Sequence, residues 1–318
     1  MKLIFLLLSF LLSSALADDW PQWFGPEHDG VWRETGIIDK FPDGGPKVLW
    51  RTPVNRGYAG PSVAGDRVFV MDRKALDTQE AKAKGARTGE KQGNERLLCL
   101  NAVTGKVIWE KAYDCPYTMS YSAGPRVTPL VDGDRVYTFG GEGNLICRAT
   151  EDGSKKWAHD FKDLFNVKTQ TWGFAASPLV HGDLLICLAS GDGTTAVAFN
   201  KVSGKEVWRS LTAKQPGYCP PCIVKHKGRD LLLIWHPEAI NALDPLNGKI
   251  YWRVPWKVRY GLTITAPQMV DDEHLFLSSF YNGSTLLKLK EDESTPDIVY
   301  RTERASERKT THLHGIMN

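Results

Sequence analysis

Past its first segment the chain has no apolar run long enough to cross a bilayer. None of its 6 cysteines is adjacent to another, and no window keeps a 3.6-residue apolar period. The first absence excludes a membrane-spanning helix downstream of the leader. The last excludes an amphipathic helical bundle. Charge of one sign is scarce too: 40 Lys and Arg stand against 37 Asp and Glu, a formal net charge of +3 spread along 318 residues. Neither a nucleic-acid groove nor a membrane-binding face is implied. With 42% hydrophobic residues the chain buries a large core and is globular.

The opening "MKLIFLLLSFLLSSALADD" places one Lys, an apolar run and Ala15-Leu16-Ala17 before two acidic residues. This is the layout of a cleavable secretory signal over 1–17, and a mature domain is expected over 18–318. The run is too short for an anchor, and no cysteine follows the cleavage point to carry a lipid. The expected location is outside the cytoplasm, periplasmic or extracellular and soluble. Export permits disulfides. Cys99, Cys147 and Cys187 sit in apolar runs, where a thiol acts as a small hydrophobe. Cys219 and Cys222 form "CPPC", read as a structural disulfide or two unpaired thiols rather than a redox or metal pair, because no helix follows and one CxxC is half a tetrahedral site. Cys115 has no partner the sequence can name.

The strongest pattern is a Gly four positions before a Trp: Gly105 and Trp109, Gly153 and Trp157, Gly204 and Trp208, Gly248 and Trp252. The pair recurs about every 50 residues, the mark of an internal repeat. Each unit opens on a Pro-containing run ("VTPLV", "ASPLV", "PPCIV", "TAPQMV"), passes a polar turn, and continues through two apolar strands into the Gly turn and the Trp strand. Val, Ile, Leu and aromatic residues between Gly, Asp and Pro favour strands. Gly supplies the positive φ of a tight hairpin, and the Trp ring is expected to lie on the neighbouring sheet. Four-stranded units of this length predict an all-β chain, a β-propeller.

Residues 73–95 insert roughly twenty charged, Gly- and Ala-containing residues between the second and third strands of the first unit, read as a solvated surface loop in preference to a lid. The fifth unit carries Pro296 and Tyr300 where Gly and Trp would stand, a degenerate blade. "KVLWRTPV" at 47–54 reads as a lone Trp strand, and "THLHGIMN" begins a further unit. The expectation is five complete blades plus a stub, of a ring that when whole has about seven or eight.

The "TGKVIW" repeat, the "SPLV" openings and "WPQWFGP" after the leader resemble the secreted PQQ-like β-propeller repeat proteins. That group is related in fold to the quinoprotein alcohol dehydrogenases and to the propeller lipoprotein of outer-membrane assembly. The resemblance covers the chain from about Asp18 onward, and its motifs serve blade packing, not chemistry. For the dehydrogenases it implies PQQ under an adjacent-cysteine disulfide, with Ca²⁺ held by Glu, Asn and Asp and an Asp base. This chain has no adjacent cysteines, no assignable base and no haem motif, and scattered calcium ligands leave no local signature.

Aromatic residues precede the opening strands: Tyr58, Tyr121, Trp172, Tyr218 and Tyr260, with His312 and His314 in the final segment. A propeller places those connections around one mouth of its channel, where rings stack on a flat cofactor, a sugar or a peptide; alternatively they wedge between blades. His28, His159, His181, His226, His236 and His274 follow no ligand spacing, so no metal site is expected. "YNGS" at 281–284 matches a glycosylation acceptor and also a Gly turn. The leading functional reading is an exported, non-catalytic propeller that binds a protein or small ligand at the channel face. A PQQ- and calcium-dependent oxidoreductase and an envelope-assembly scaffold are the alternatives.

Overall fold

The computed structural model describes residues 18–83, 91–292 and 294–302. The expected leader, His312 and His314 lie outside the described residues. The chain forms five antiparallel four-stranded sheets, every strand beside its sequence neighbours. Blade 1 is β1 (Ser62–Ala64), β2 (Arg67–Ala75), β3 (Gly93–Asn101) and β4 (Val107–Asp114). Blade 2 is β5 (Leu130–Asp132), β6 (Arg135–Phe139), β7 (Asn144–Ala149) and β8 (Lys155–Asp160), and blade 3 is β9 (Leu179–His181), β10 (Leu184–Leu188), β11 (Ala196–Asn200) and β12 (Glu206–Ser210). Blade 4 follows with β13 (Cys222–His226), β14 (Arg229–His236), β15 (Ala239–Leu243) and β16 (Ile250–Pro255), and blade 5 with β17 (Gln268–Met269), β18 (His274–Ser279), β19 (Gly283–Lys288) and β20 (Asp297–Arg301). Together these are the blades of an all-β propeller.

The middle strands of blades 2, 3 and 4 are largely apolar on both faces because each of these blades is sandwiched between two others. Alternation along β10 shows it: Leu185 and Cys187 join the core shared with blade 2, while Leu184, Ile186 and Leu188 join that shared with blade 4. The outermost strands β4 and β8 alternate between exposed and half-buried residues, as strands with one face in water should.

The repeated Gly and Trp meet across blades. The indoles of Trp109, Trp157 and Trp208 each lie on the Gly turn of the following blade, and each Nε1 donates to the carbonyl three residues before that Gly. Trp109 reaches Thr150 O at 3.1 Å, Trp157 reaches Lys201 O at 3.2 Å and Trp208 reaches Pro245 O at 3.1 Å. An added Cβ at Gly153, Gly204 or Gly248 would stand 2.8, 2.6 or 2.6 Å from the ring. These glycines also hold φ near +70°, so backbone and contact impose the same residue. A bulge just before each Trp aims the ring: the last two strands shift register between Cys99 and Leu100, Cys147 and Arg148, Ala198 and Phe199, and Ala242 and Leu243. Opposite the Trp stand Cys99, Cys147, Ala198 and Ala242, so two of the cysteines are the small residue this register needs. In blade 5 the same shift puts Tyr300 in the Trp place, opposite Leu286.

Trp50 obeys the rule as well, its indole lying on Gly105 with Nε1 donating to Ala102 O at 2.9 Å. The segment 47–54 thus occupies the place of a preceding blade's outer strand, although it joins no ladder among the described residues. The insertion in blade 1 is narrower than the sequence indicated. Residues 73–75 and 93–95 are not loop: β2 and β3 stay paired out to Ala75 and Gly93, with Arg73 and Glu95 buried despite their charge. A short helix, α1 (Thr78–Ala83), lies between them.

Alternating strand direction sends the first and third hairpin turns of every blade to one end of the ring. The second turns and the interblade linkers go to the other, the linker end. The "WPQWFGP" segment lies against the inner strands. Trp20 and Val63 exchange backbone bonds at 2.9 Å, Val131 N donates to Pro21 O at 2.8 Å, and Trp23 stacks on Phe24 at 3.5 Å. Residues 23 to 29 then bound a cavity of about 230 Å³ against the starts of β9, β13 and β17. No helix among the described residues is long and apolar enough to cross a membrane.

Candidate functional site

Each linker leaves a blade by hydrogen bonding to that blade's own second turn. Phe174 N donates to Gly141 O, Ala213 and Gly191 form a bridge, and Val258 N donates to Pro237 O at 2.7 Å. Each linker then bonds to the next one round the ring. Tyr58 N donates to Pro125 O at 2.8 Å, Ser120 N to Thr171 O at 2.8 Å and Tyr218 N to Thr263 O at 2.9 Å, while Gln170 Nε2 reaches Gly217 O at 3.1 Å. The result is a continuous belt around the channel mouth, satisfying backbone groups that loops usually leave to water.

The belt collects three of the five expected aromatic residues. Arg126, half-buried, lies over the Tyr58 ring at 5.1 Å, and its guanidinium donates to the carbonyls of Gly124, Ser120 and Tyr121. Burial lowers its pKa, while Tyr117, Tyr58, Glu95 and Tyr218 lie near enough to act on its charge. Trp172 meets Tyr218 edge-on at 5.8 Å. Tyr218 is buried and its hydroxyl is pushed up to about 12 by desolvation, so it stays protonated as a donor. The other two fall differently. The Tyr121 ring is exposed and only its carbonyl touches Arg126, whereas Tyr260 pairs with Tyr281 at 5.6 Å under the Arg259 guanidinium. Both hold positive φ, +50° and +57°, a conformation costly for a bulky residue and maintained here by the belt.

Two buried polar atoms in the belt, Gln170 Oε1 and Thr263 Oγ1, have no hydrogen-bond partner among the described residues. Such groups cost free energy unless something completes them. The linkers 115–129, 161–178, 211–221 and 256–267 carry Arg126, Lys162, Lys168, Lys214, Lys257 and Arg259 against a single acidic residue, Asp163. Lys162 is partly neutralised by the buried Glu142 at 3.2 Å, but Lys168, Lys214 and Lys257 project into water. The linkers are therefore basic and aromatic, while Asp192 and Glu238 in the second turns and Glu27 and Asp29 of the N-terminal segment bring acidic groups to the same end.

Sequence reasoning missed the buried carboxylates beside it. Glu95 accepts from the Tyr113 and Tyr117 hydroxyls and from Gly141 N at 2.9 Å. Burial raises its pKa and favours the neutral acid. Glu142 accepts from Thr118 N and Thr169 Oγ1, both at 2.6 Å, as well as from Lys162. "GGEG" at 140–143 was the available signal, since close glycines let a carboxylate reach a neighbouring blade. These acids brace blades 1 and 2 and offer no open face to a substrate. Among the described residues no group of three or more His, Cys, Asp or Glu side chains is placed to hold a metal ion.

Residues 93–291 match the profile of the family described as outer membrane protein assembly factor BamB. A curated protein of that name from Alkalilimnicola ehrlichii is 26% identical over 241 residues, which are 74% of this chain and 52% of that protein. The chain thus spans about half the length of the curated relative it matches. Among solved structures, BamB from Moraxella catarrhalis aligns with a TM-score of 0.48 and 14% identity over 80% of this chain and 64% of its own. A quinohemoprotein alcohol dehydrogenase from Comamonas testosteroni aligns with a TM-score of 0.47 and 15% identity over 85% and 58%.

Proposed function

Because this chain belongs to the family described as outer membrane protein assembly factor BamB, we propose that it is a non-catalytic scaffold of the cell envelope, exported to the periplasm or beyond, whose linker end holds an extended acidic segment of a partner protein. The observation that carries this reading is the belt itself: rings of Tyr58, Trp172 and Tyr218 and the Arg126 cation, fixed by linker-to-linker hydrogen bonds and flanked by exposed lysines. Rigid aromatic groups supply contact area at small entropic cost, and surrounding charge steers an oppositely charged partner. The curated relative's name places that protein in outer-membrane assembly, which favours a protein segment as occupant over a sugar.

The test is titration of the exported chain with a labelled acidic peptide containing aromatic residues, against its basic counterpart. Trp172→Ala is expected to weaken binding by about 2 kcal/mol, roughly thirtyfold. Binding that ignores both Trp172→Ala and peptide charge overturns the reading. A parallel titration with PQQ and calcium serves the oxidoreductase alternative: saturable quinone binding with dye reduction would replace the scaffold reading by that one.

A further inference from the structure

The segment from Cys219 to Cys222 plays no part in the binding reading. Cys219 lies near the end of the linker, just after Tyr218, and Cys222 is the first residue of β13. Pro220 and Pro221 fix φ at both intervening positions, so the two thiols hang from a short stiff arm. Both turn to one acceptor: Cys219 Sγ lies 3.4 Å and Cys222 Sγ 3.2 Å from the Pro220 carbonyl oxygen. Their surroundings differ. Cys219 is 1% exposed in the core shared by blades 4 and 5, whereas Cys222 is partly exposed and lines the 230 Å³ cavity beside Trp23 and Gln268. The other four cysteines are buried, Cys99, Cys147 and Cys187 in blade strands and Cys115 in the linker after β4.

We propose that Cys219 and Cys222 form a disulfide by exchange with a disulfide-bearing molecule that reaches the cavity, Cys222 reacting first and Cys219 resolving. The Cys222 thiolate attacks one sulfur of the donor disulfide; the donor bond breaks, a mixed disulfide forms, and the departing thiolate takes up the proton that Cys222 released. The Cys219 thiolate then attacks the Cys222 sulfur, the intramolecular bond forms, and the second donor sulfur leaves with the Cys219 proton. Two electrons pass from the pair to the donor, which ends as two thiols. A hydrogen bond with the Cys222 thiol, together with burial, pushes the Cys219 thiol well above its usual range. Once Cys222 is held in the mixed disulfide its thiol hydrogen bond is gone and burial alone keeps the Cys219 thiol raised, so the resolving step speeds up as pH rises, about tenfold per pH unit below the Cys219 pKa. The bond would clamp the Tyr218 linker to the inner strand of blade 4.

The folded full chain, fully reduced, is incubated with hydroxyethyl disulfide at neutral and alkaline pH, quenched in acid, alkylated, digested and weighed. Expected is the loss of two hydrogens in the peptide carrying Cys219 and Cys222, faster at high pH, with the other four cysteines alkylated only after unfolding. Cys219→Ser should halt at the mixed disulfide on Cys222, and Cys222→Ser should give no product in the folded state. Should either variant fail to fold, the order of alkylation in the reduced wild-type chain decides, since Cys222 must label before Cys219. Both thiols remaining alkylatable after the oxidant, a disulfide appearing only in urea, or Cys219 labelling first would overturn the proposal.

Discussion

At Gly204 two demands meet in one residue: a φ of +71° and an indole that leaves no room for a Cβ. Gly182 has a similar φ of +56° and nothing within 4 Å. The pair separates conformational cost from contact. Gly182→Ala is expected to cost about 1 kcal/mol in urea unfolding, and Gly204→Ala about 2–3 kcal/mol because it also displaces Trp157 and its N–H bond. In a Trp157→Ala background the two should converge, and a persisting gap would show that the indole is not the cause. The Gly to Trp spacing was legible because both residues lie in one hairpin. That Trp109, Trp157 and Trp208 land on the next blade's Gly was not, since the offset between repeats varies. His236 gives a second residue-scale expectation. Burial lowers its pKa from 6.5 to about 4 while its Nδ1 accepts from Glu238 N at 3.2 Å. A depressed histidine contributes stability in full above pH 6.5, lost as pH falls toward 4. His236→Asn should remove that part of the acid slope of the urea midpoint.

At the scale of elements, the hairpin of blade 1 shows where composition misleads. Arg73, Lys74, Asn94 and Glu95 read as loop because they are polar, yet they extend the ladder. The ladder pays for them through partners the local sequence does not contain: Tyr113 and Tyr117 on Glu95, and the Tyr117 ring beneath Arg73 at 4.1 Å. Beyond that paired stretch the insertion is expendable. Replacing 77–90 by a short Gly turn should change stability by less than about 0.5 kcal/mol, since loop length is cheap. A deletion reaching Lys91, which bridges Tyr117, should cost several times more. Equal losses from both deletions would contradict this division.

At the scale of the whole molecule, charge is divided between linkers and turns. Reversing Lys168, Lys214 and Lys257 to Glu should slow association with an acidic partner and flatten its salt dependence, leaving dissociation nearly unchanged. An effect confined to dissociation would mean that these lysines touch the ligand rather than steer it. The blade repeat, its strand number, its Gly turns and the degenerate fifth unit followed from the sequence alone. Those features depend on backbone φ, side-chain alternation and spacing inside one hairpin, all fixed within a few residues. The mouth followed only from the tertiary structure. Tyr58 reaches Pro125, Ser120 reaches Thr171, Gln170 reaches Gly217 and Tyr218 reaches Thr263, each pair joining residues of different linkers with no constant offset. Those contacts exist because the blades dock face to face around a channel, and that geometry sets Trp172 against Tyr218 and Arg126 over Tyr58 while leaving Tyr260 with Tyr281.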